Sequence, residues 1–370
     1  MIIPSLMMLG MLLKSIKFRF LTCISADYMT SIGCLFPFII ILEIVFGISS
    51  SAHQYAWIVC FAIIGVIIVY LLISHLNGTF VLRDKYIELK NIKIKQPFRI
   101  VHISDVHIGS RSQSFLEKVV NRVNELNGDI ICITGDLIDS HAAVSEQRSD
   151  VDKSQISDIS QLQPQTYPIL RSLEKLTAKL GVFFVIGNHD VMVGKESVFK
   201  MIQHFPNIRL LSNEYVDIPL QESNSSDQNI NQSNSLRIIG FDDGQSDQFT
   251  NYVNDFFTSN SSQFQNETSD SPYTIVMHHQ PHKGAWLKAM DLLHGDLFLA
   301  GHTHNGQIFP VFPLVYLMFP HSAGLLTINK KNEQTINQQS EVDKQEQFHS
   351  FDRHLYVNPG TGTWGTPARS

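Results

Sequence analysis

The chain has 370 residues and a formal net charge of −6, from 34 acidic and 28 basic side chains. That acidic balance gives no footing for a nucleic-acid partner, which calls for a basic face. The length allows one large domain plus a smaller part. Cys23, Cys34, Cys60 and Cys132 lie far apart, without CxxC spacing, so neither a disulfide framework nor a thiolate metal site is indicated.

The opening "MIIPSLMMLGMLL" is too short to cross a bilayer. It also lacks the order of a signal peptide, because Lys14, Lys17 and Arg19 follow the apolar run instead of preceding it. Residues 56–76, "AWIVCFAIIGVIIVYLLISHL", carry no formal charge and are long enough to span as a helix. Residues 32–49 are a second span, weakened by Pro37 and Glu43. Residues 1–79 therefore read as a membrane anchor of two transmembrane helices and a short N-terminal apolar segment. Basic residues flank the pair, with Arg83, Lys85 and Lys90 on the far side, while the connecting "SSAHQ" has none. The positive-inside tendency then predicts a multi-pass membrane protein with its catalytic domain in the cytoplasm.

From residue 80 to 370 the texture is that of an α/β domain. The runs "FRIVHIS", "DIICIT", "VFFVI", "LRIIGF", "YTIVM", "DLFLA" and "HLYV" read as strands. Between the first two, "SFLEKVVNRVNEL" keeps a helical period and completes a βαβ unit. A second helix is predicted over about 169–180. Polar stretches near 145–165, 221–235, 258–271 and 330–350 are too poor in apolar residues to pack and read as inserted surface loops.

Metal-type side chains follow these runs. The first strand delivers Asp105 and His107, the second Asp136 and Asp139, and the third Asn188, His189 and Asp190. "YTIVMHHQP" delivers His278 and His279, and "DLFLAGHTHNG" delivers His302 and His304. Taken singly, each motif has a plain reading as a turn or a cap. His102, inside a strand, reads as a core or surface histidine, and Arg111 as solvated rather than as a phosphate clamp. Together, strand exits of an open α/β sheet bring such residues to one crevice.

The order Asp-x-His, Gly-Asp-x-x-Asp, Gly-Asn-His-Asp, His-x-Pro, Gly-His-x-His resembles the calcineurin-like metallophosphoesterases. "ISDVHIGS", "TGDLID", "GNHD", "HQP", "GHTHNGQIFP" and "YVNPGTGTWGTPAR" are similar to the membrane-associated branch, the YkuE-like proteins and transmembrane proteins with a metallophosphoesterase domain. The resemblance implies an α/β sandwich of two mixed β-sheets flanked by helices. It implies two divalent metal ions sharing Asp136, with Asp105, His107 and His304 completing one site and Asn188, His279 and His302 the other. His279 is favoured over His278 because it occupies the His-x-Pro position. His189 would be the acid for the leaving oxygen, with Asp139 orienting its ring. Asn305 stands where the branch has glycine, and it tolerates the same left-handed backbone. Carboxylate, amide and imidazole ligands without thiolate suit Mn²⁺, Fe or Zn²⁺.

The expected activity is hydrolysis of a phosphoester or pyrophosphate bond. The substrate would be an amphiphile such as a UDP-2,3-diacylglucosamine-type lipid, since an anchor belongs beside a membrane substrate. Soluble nucleotide or protein phosphates are the alternative, and a membrane receptor with a vestigial site is a third reading. No nucleic-acid partner is expected, and no protein partner can be inferred. The run "IFPVFPLVYLMFP", residues 308–320, either covers a sheet edge or faces lipid through Phe312, Leu314, Tyr316, Leu317 and Phe319. A fragment starting near Phe80 is expected to keep its activity on small esters.

Overall fold

The computed structural model describes residues 19–48, 54–91, 93–94, 96–144, 167–220, 235–264, 271–282, 284–308, 311–328, 352–364 and 367–369. Two helices come first, α1 (Arg19–Ile48) and α2 (Ala56–Phe80), each long and apolar enough to cross a membrane. Within them 31–48 and 56–80 meet that test. The short N-terminal apolar segment lies outside the described residues.

The domain alternates strands and helices. They are β1 (Ile100–Ile103), α3 (Gln113–Glu125), β2 (Ile130–Thr134), β3 (Gly181–Val185), α4 (Asn188–Ile202), β4 (Ile208–Leu210), β5 (Glu214–Pro219) and β6 (Ser235–Gly240). There follow α5 (Ser246–Asn260), β7 (Tyr273–Met277), α6 (Ala285–Leu292), β8 (Leu297–Ala300), α7 (Phe312–Met318), β9 (Gly324–Ile328) and β10 (Arg353–Val357). The first four strands form a parallel sheet in the order β1-β2-β3-β4. The second sheet, β5-β6-β7-β8-β10-β9, is parallel at its centre with antiparallel strands β5 and β9 at its edges.

Side-chain alternation explains how the sheets stack. Ile130 and Cys132 of β2 face Ile275 and Met277 of β7 and Leu297 and Leu299 of β8 in one apolar cluster between the sheets. Ile131 and Ile133 point the other way, against Leu116, Val119 and Val123 of α3. On the second sheet Val276 and Phe298 turn outward to Phe249 and Val253 of α5 and Trp286 of α6. Helices therefore cover both outer faces. Helix α3 starts where Ser112 caps the Phe115 amide, and its apolar stripe fixes the face it buries.

The helix expected over 169–180 is instead a 3₁₀ turn over Pro168–Lys175, opened by proline at its first position. Tighter winding still buries Leu170 and Leu173. Strands β4, β5 and β9 had no alternation strong enough to announce them. Of the polar stretches, 145–165 and 330–350 lie outside the described residues, as does 221–235 except for Ser235 in β6. The stretch 258–271 begins inside α5, and Phe264 within it is buried in the core; 265–270 lie outside the described residues.

Candidate metal centre

The carboxyl ends of β1, β2, β3, β7 and β8 open onto one place, and backbone pairing continues past them. Asp105 N donates to Gly135 O at 3.0 Å, His107 N to Asp136 O at 3.0 Å, and Gly301 N to His279 O at 2.9 Å. Asp105, His107, Asp136, His302 and His304 all take positive φ, between 49° and 71°. Left-handed backbone is costly for non-glycine residues and concentrates at functional sites. The bend turns side chains from strand exits inward. Asn305, at φ 51°, sits in the same region, as its side chain permits.

Three groups of donors result: Asp105, His107 and His304; His107, Asp136 and His189; Asp136, His279 and His302. In the first, His107 Nε2 and His304 Nε2 are 2.9 Å apart, and Asp105 Oδ1 is 3.4 Å from the latter. In the last, His279 Nε2 is 3.1 Å from Asp136 Oδ2 and 3.1 Å from Asn188 Oδ1, and Asn188 Oδ1 is 2.8 Å from His302 Nδ1. His302 N donates to both Asp105 oxygens, at 3.1 and 3.0 Å, tying the two groups together. A Cβ on Gly301 would stand 2.3 Å from Asp105 Oδ2, so only glycine allows that approach.

Electrostatics test whether these residues fit a cation. Burial pushes Asp105 up, with the neighbouring Asp136 adding to the rise against His279 and His107. His279 is held well above the usual imidazole range: burial opposes its charge, but Asp136 outweighs it. Its Nδ1 donates to Thr134 O at 2.7 Å, so the ring's other nitrogen is the one turned to Asp136 and Asn188. Burial pulls His302 down to about 3 and His304 well below its usual value, the latter helped by His107 and Arg369. Two buried carboxylates thus stand beside His302 and His304, held neutral, and beside His279 and His107, whose protons are retained only because carboxylates face them. Asp136 itself is held well below the usual carboxylate range. Facing lone pairs short of positive charge are what a divalent ion requires. The residues fit metal.

His189 lies at the edge of this centre. Its amide donates to Asp136 Oδ1 at 2.8 Å, and its ring sits edge-on to His107 at 4.8 Å and to Trp364 at 5.7 Å. Burial pulls it to about 4, with Asp136 and Asp139 opposing. Among the described residues Asp139 makes no hydrogen bond to the His189 ring, which the resemblance has it orient, although its charge acts on that ring. It accepts bonds from the amide and hydroxyl of Ser110, and one oxygen is 3.6 Å from His107 Nδ1. Parallel pairing of β1 with β2 carries Asp139 to the Asp-x-His loop, where Asp139 N donates to Ile108 O at 3.1 Å. His278 is turned away from the centre and stacks on Phe249 at 4.0 Å.

A model of the family "Calcineurin-like phosphoesterase" matches residues 98–306. The chain belongs to that family. It is 26% identical over 308 residues to an uncharacterized metallophosphoesterase of Campylobacter jejuni, covering 83% of this chain and 64% of that one. It is 29% identical over 274 residues to the Danio rerio transmembrane protein with metallophosphoesterase domain, covering 73% and 50%. An uncharacterized metallophosphoesterase of Aquifex aeolicus is 25% identical over 299 residues, covering 80% and 90%. The chain thus spans only about half to two thirds of the first two relatives.

Sequence reasoning missed the supporting residues of the centre. Asp190 is fully buried and accepts bonds from the Ile138 amide at 3.0 Å and the Gly187 amide at 2.9 Å, joining two ligand loops. Its place three residues after the capping Gly187 was a usable signal. Arg111 is not solvated but buried, over the Phe115 ring at 3.8 Å. Trp364 and Arg369 lie in "GTWGTPAR", a motif to which the sequence alone assigned no role.

Proposed function

We propose that this chain is a membrane-anchored phosphoesterase working with two divalent ions, Mn²⁺, Fe or Zn²⁺, on a lipid-linked phosphoester or pyrophosphate. Asp136 would serve both ions, with Asp105, His107 and His304 at one and Asn188, His279 and His302 at the other. The observation that carries the reading is the convergence of carboxylate and imidazole donors, with the Asn188 amide between His279 and His302, from five parallel strands of two sheets. When bound, such ions supply Lewis acidity at phosphoryl oxygens and activate water for in-line attack.

The remaining chemistry belongs to the chain's own groups. His189, beside the centre and next to Trp364, holds the proton for the leaving oxygen. Negative charge on an entering phosphoryl group acts in the same direction as Asp136 and Asp139, raising the proton affinity of this ring. Asp139, itself held by Ser110, supports His107 from the Nδ1 side of its ring.

The surface beside His302 supports an amphiphilic substrate. Helix α7 leaves Leu314 64% and Leu317 81% exposed, with Phe312, Tyr316 and Met318 also exposed. Phe319 turns back to the His302 ring at 5.4 Å. Of the two readings left open for this run, an exposed apolar face is therefore favoured. Such a face is a liability in water and useful at a bilayer. The Gln307 side chain bonds both the amide and the carbonyl of Trp364, fastening the approach to α7 onto the C-terminal segment that meets α2. With α1 and α2 in the membrane, α7 would lie against the same surface.

Full-length protein loaded with Mn²⁺ tests the reading against bis-p-nitrophenyl phosphate, p-nitrophenyl phosphate and a vesicle-borne UDP-2,3-diacylglucosamine. Preferred cleavage of the vesicle-borne lipid is expected. Turnover of the soluble esters alone moves the soluble-phosphate reading ahead, and no turnover by metal-loaded protein leaves the receptor reading.

A further inference from the structure

The C-terminal segment joins two places that the domain division separates. At one end lies helix α2: Arg369 N donates to Ser74 O at 2.8 Å, Asn77 Nδ2 to Arg369 O at 3.1 Å, and Thr79 Oγ1 to Pro367 O at 3.4 Å. The fit is close, since a Cβ on Gly78 would stand 2.4 Å from Pro367 O. Arg111 reinforces the joint, donating to Thr79 O at 3.4 Å and Thr363 Oγ1 at 3.3 Å.

At the other end lies the metal centre. The Arg369 guanidinium donates to Gly360 O at 2.6 Å, to Pro359 O at 3.2 Å, and to Gly362 O. Three carbonyls of one loop therefore converge on a single planar cation, which fixes the loop's shape. That loop in turn grips the first ligand: Thr361 N donates to Ser104 O at 2.7 Å, and Gly362 N to Asp105 O at 2.8 Å. Ser104 N returns a bond to Thr361 Oγ1 at 3.2 Å. Gly360 packs so tightly on His304 that a Cβ there would stand 2.9 Å from Nδ1.

We infer that Arg369 is a positioning residue, and that residues 359–364 and 367–369 act as a latch by which helix α2 holds Asp105 and His304 in ligating geometry. The inference rests on the two-ion reading above. It makes the anchor a structural part of the ion site formed by Asp105, His107 and His304, whereas the site formed by Asn188, His279 and His302 meets the latch only indirectly, through the His302 amide and the shared Asp136. Asp105 is strained at φ 55°, so its backbone needs an external hold, and the loop supplies one backbone hydrogen bond to the carbonyl before it and one to its own. A chain cut at residue 80 would lose Ser74, Asn77 and the seat at Gly78. Contrary to the expectation from sequence, it would not keep full activity on small esters.

The test uses the full chain in detergent micelles, stripped of metal and titrated with Mn²⁺, with thermal unfolding of the metal-free protein in parallel. The parent is expected to bind two ions. Arg369→Ala should keep one and weaken the other about ten- to hundredfold, the scale of losing a support behind a ligand, while metal-free unfolding stays unchanged. Added guanidinium should restore the weakened ion, and Arg369→Lys should not. Gly78→Val, which displaces Pro367 from the helix, should reproduce the selective loss. Parent-like isotherms in both variants, or equal weakening of both ions together with a lowered unfolding temperature, would overturn the latch while leaving the two-ion reading intact. A parent that binds fewer than two ions would overturn both.

Discussion

His107 and His304 come from opposite sheets, yet their rings stack 4.9 Å apart with Nε2 facing Nε2 at 2.9 Å. The candidate centre is therefore a joint between the two layers. An ion held by residues of both layers should tie them together, because a ligand bound only by the folded state stabilises it.

The first prediction concerns that joint. Mn²⁺ should raise the unfolding temperature of the parent in proportion to the logarithm of its concentration, and chelator should reverse the rise. Asp136→Asn should abolish hydrolysis and most of this dependence, since the proposal gives this one carboxylate to both ions. Calorimetry and metal analysis of the same samples check it; a variant holding two ions with near-normal turnover would refute the shared role.

His189→Ala and Asp139→Ala should fail differently. Without His189, esters with alkoxide leaving groups should lose about 10²–10⁴-fold in rate while nitrophenyl esters lose far less, because an acid matters most for a basic leaving oxygen. Without Asp139, which supports His107, Mn²⁺ affinity should fall about 10–100-fold and the leaving-group dependence should stay. Rates on paired esters at saturating metal separate the two. Leaving-group sensitivity in Asp139→Ala would restore that residue to a role beside His189.

A third prediction reads out at acid pH. His278 is fully buried, and burial pulls its imidazole to about 3. A histidine depressed on folding adds stability that is complete above the unfolded value near 6.5 and is lost as pH falls from there towards 3. Each such proton contributes a slope of roughly 1.4 kcal/mol per pH unit within that window. His278→Phe keeps the stack on Phe249 and removes the titration. Its unfolding free energy should fall less steeply between pH 6 and 4, pH values lying inside the window set by those limits. Denaturant unfolding of metal-free protein at several pH values measures it, and identical slopes would contradict it.

Helix α7 gives the fourth. Leu314→Glu and Leu317→Glu introduce charge on a face that is already open, so folding should be unaffected. The ratio of turnover on vesicle-borne lipid to turnover on a soluble diester should drop by about an order of magnitude, roughly 1.4 kcal/mol of lost surface binding. An unchanged ratio would remove the lipid-facing role from this helix.

Much of the fold was legible because its central strands are continuous β-branched runs that end abruptly in Asp, Asn or His. Ile130, Ile131, Cys132 and Ile133 are all fully buried, the pattern of a parallel strand covered on both faces. Edge strands gave no such signal: β5, "EYVDIP", alternates weakly and leaves one side to solvent. The donor residues were legible through spacing. Their supports were not, since Asp139 reaches His107 through pairing of two strands, and Arg369 reaches Asp105 through a loop and hydrogen bonds far apart in the chain. Contacts of that kind have no period.

The left-handed backbone at Asp105, His107, Asp136, His302 and His304 also restricts which replacements the centre can accept. Outside glycine, short polar side chains such as Asp, Asn and His are enriched in that region, whereas β-branched or bulky ones are outliers there. Moving another side chain into it costs roughly 1–2 kcal/mol before any coordination is considered. Attempts to retune the metal preference by introducing cysteine or glutamate at these five positions would meet a penalty set by φ. Exchange among Asp, Asn and His would not, and Asn188 and His279, which lie outside the left-handed set, are where a softer or longer ligand should be tried first.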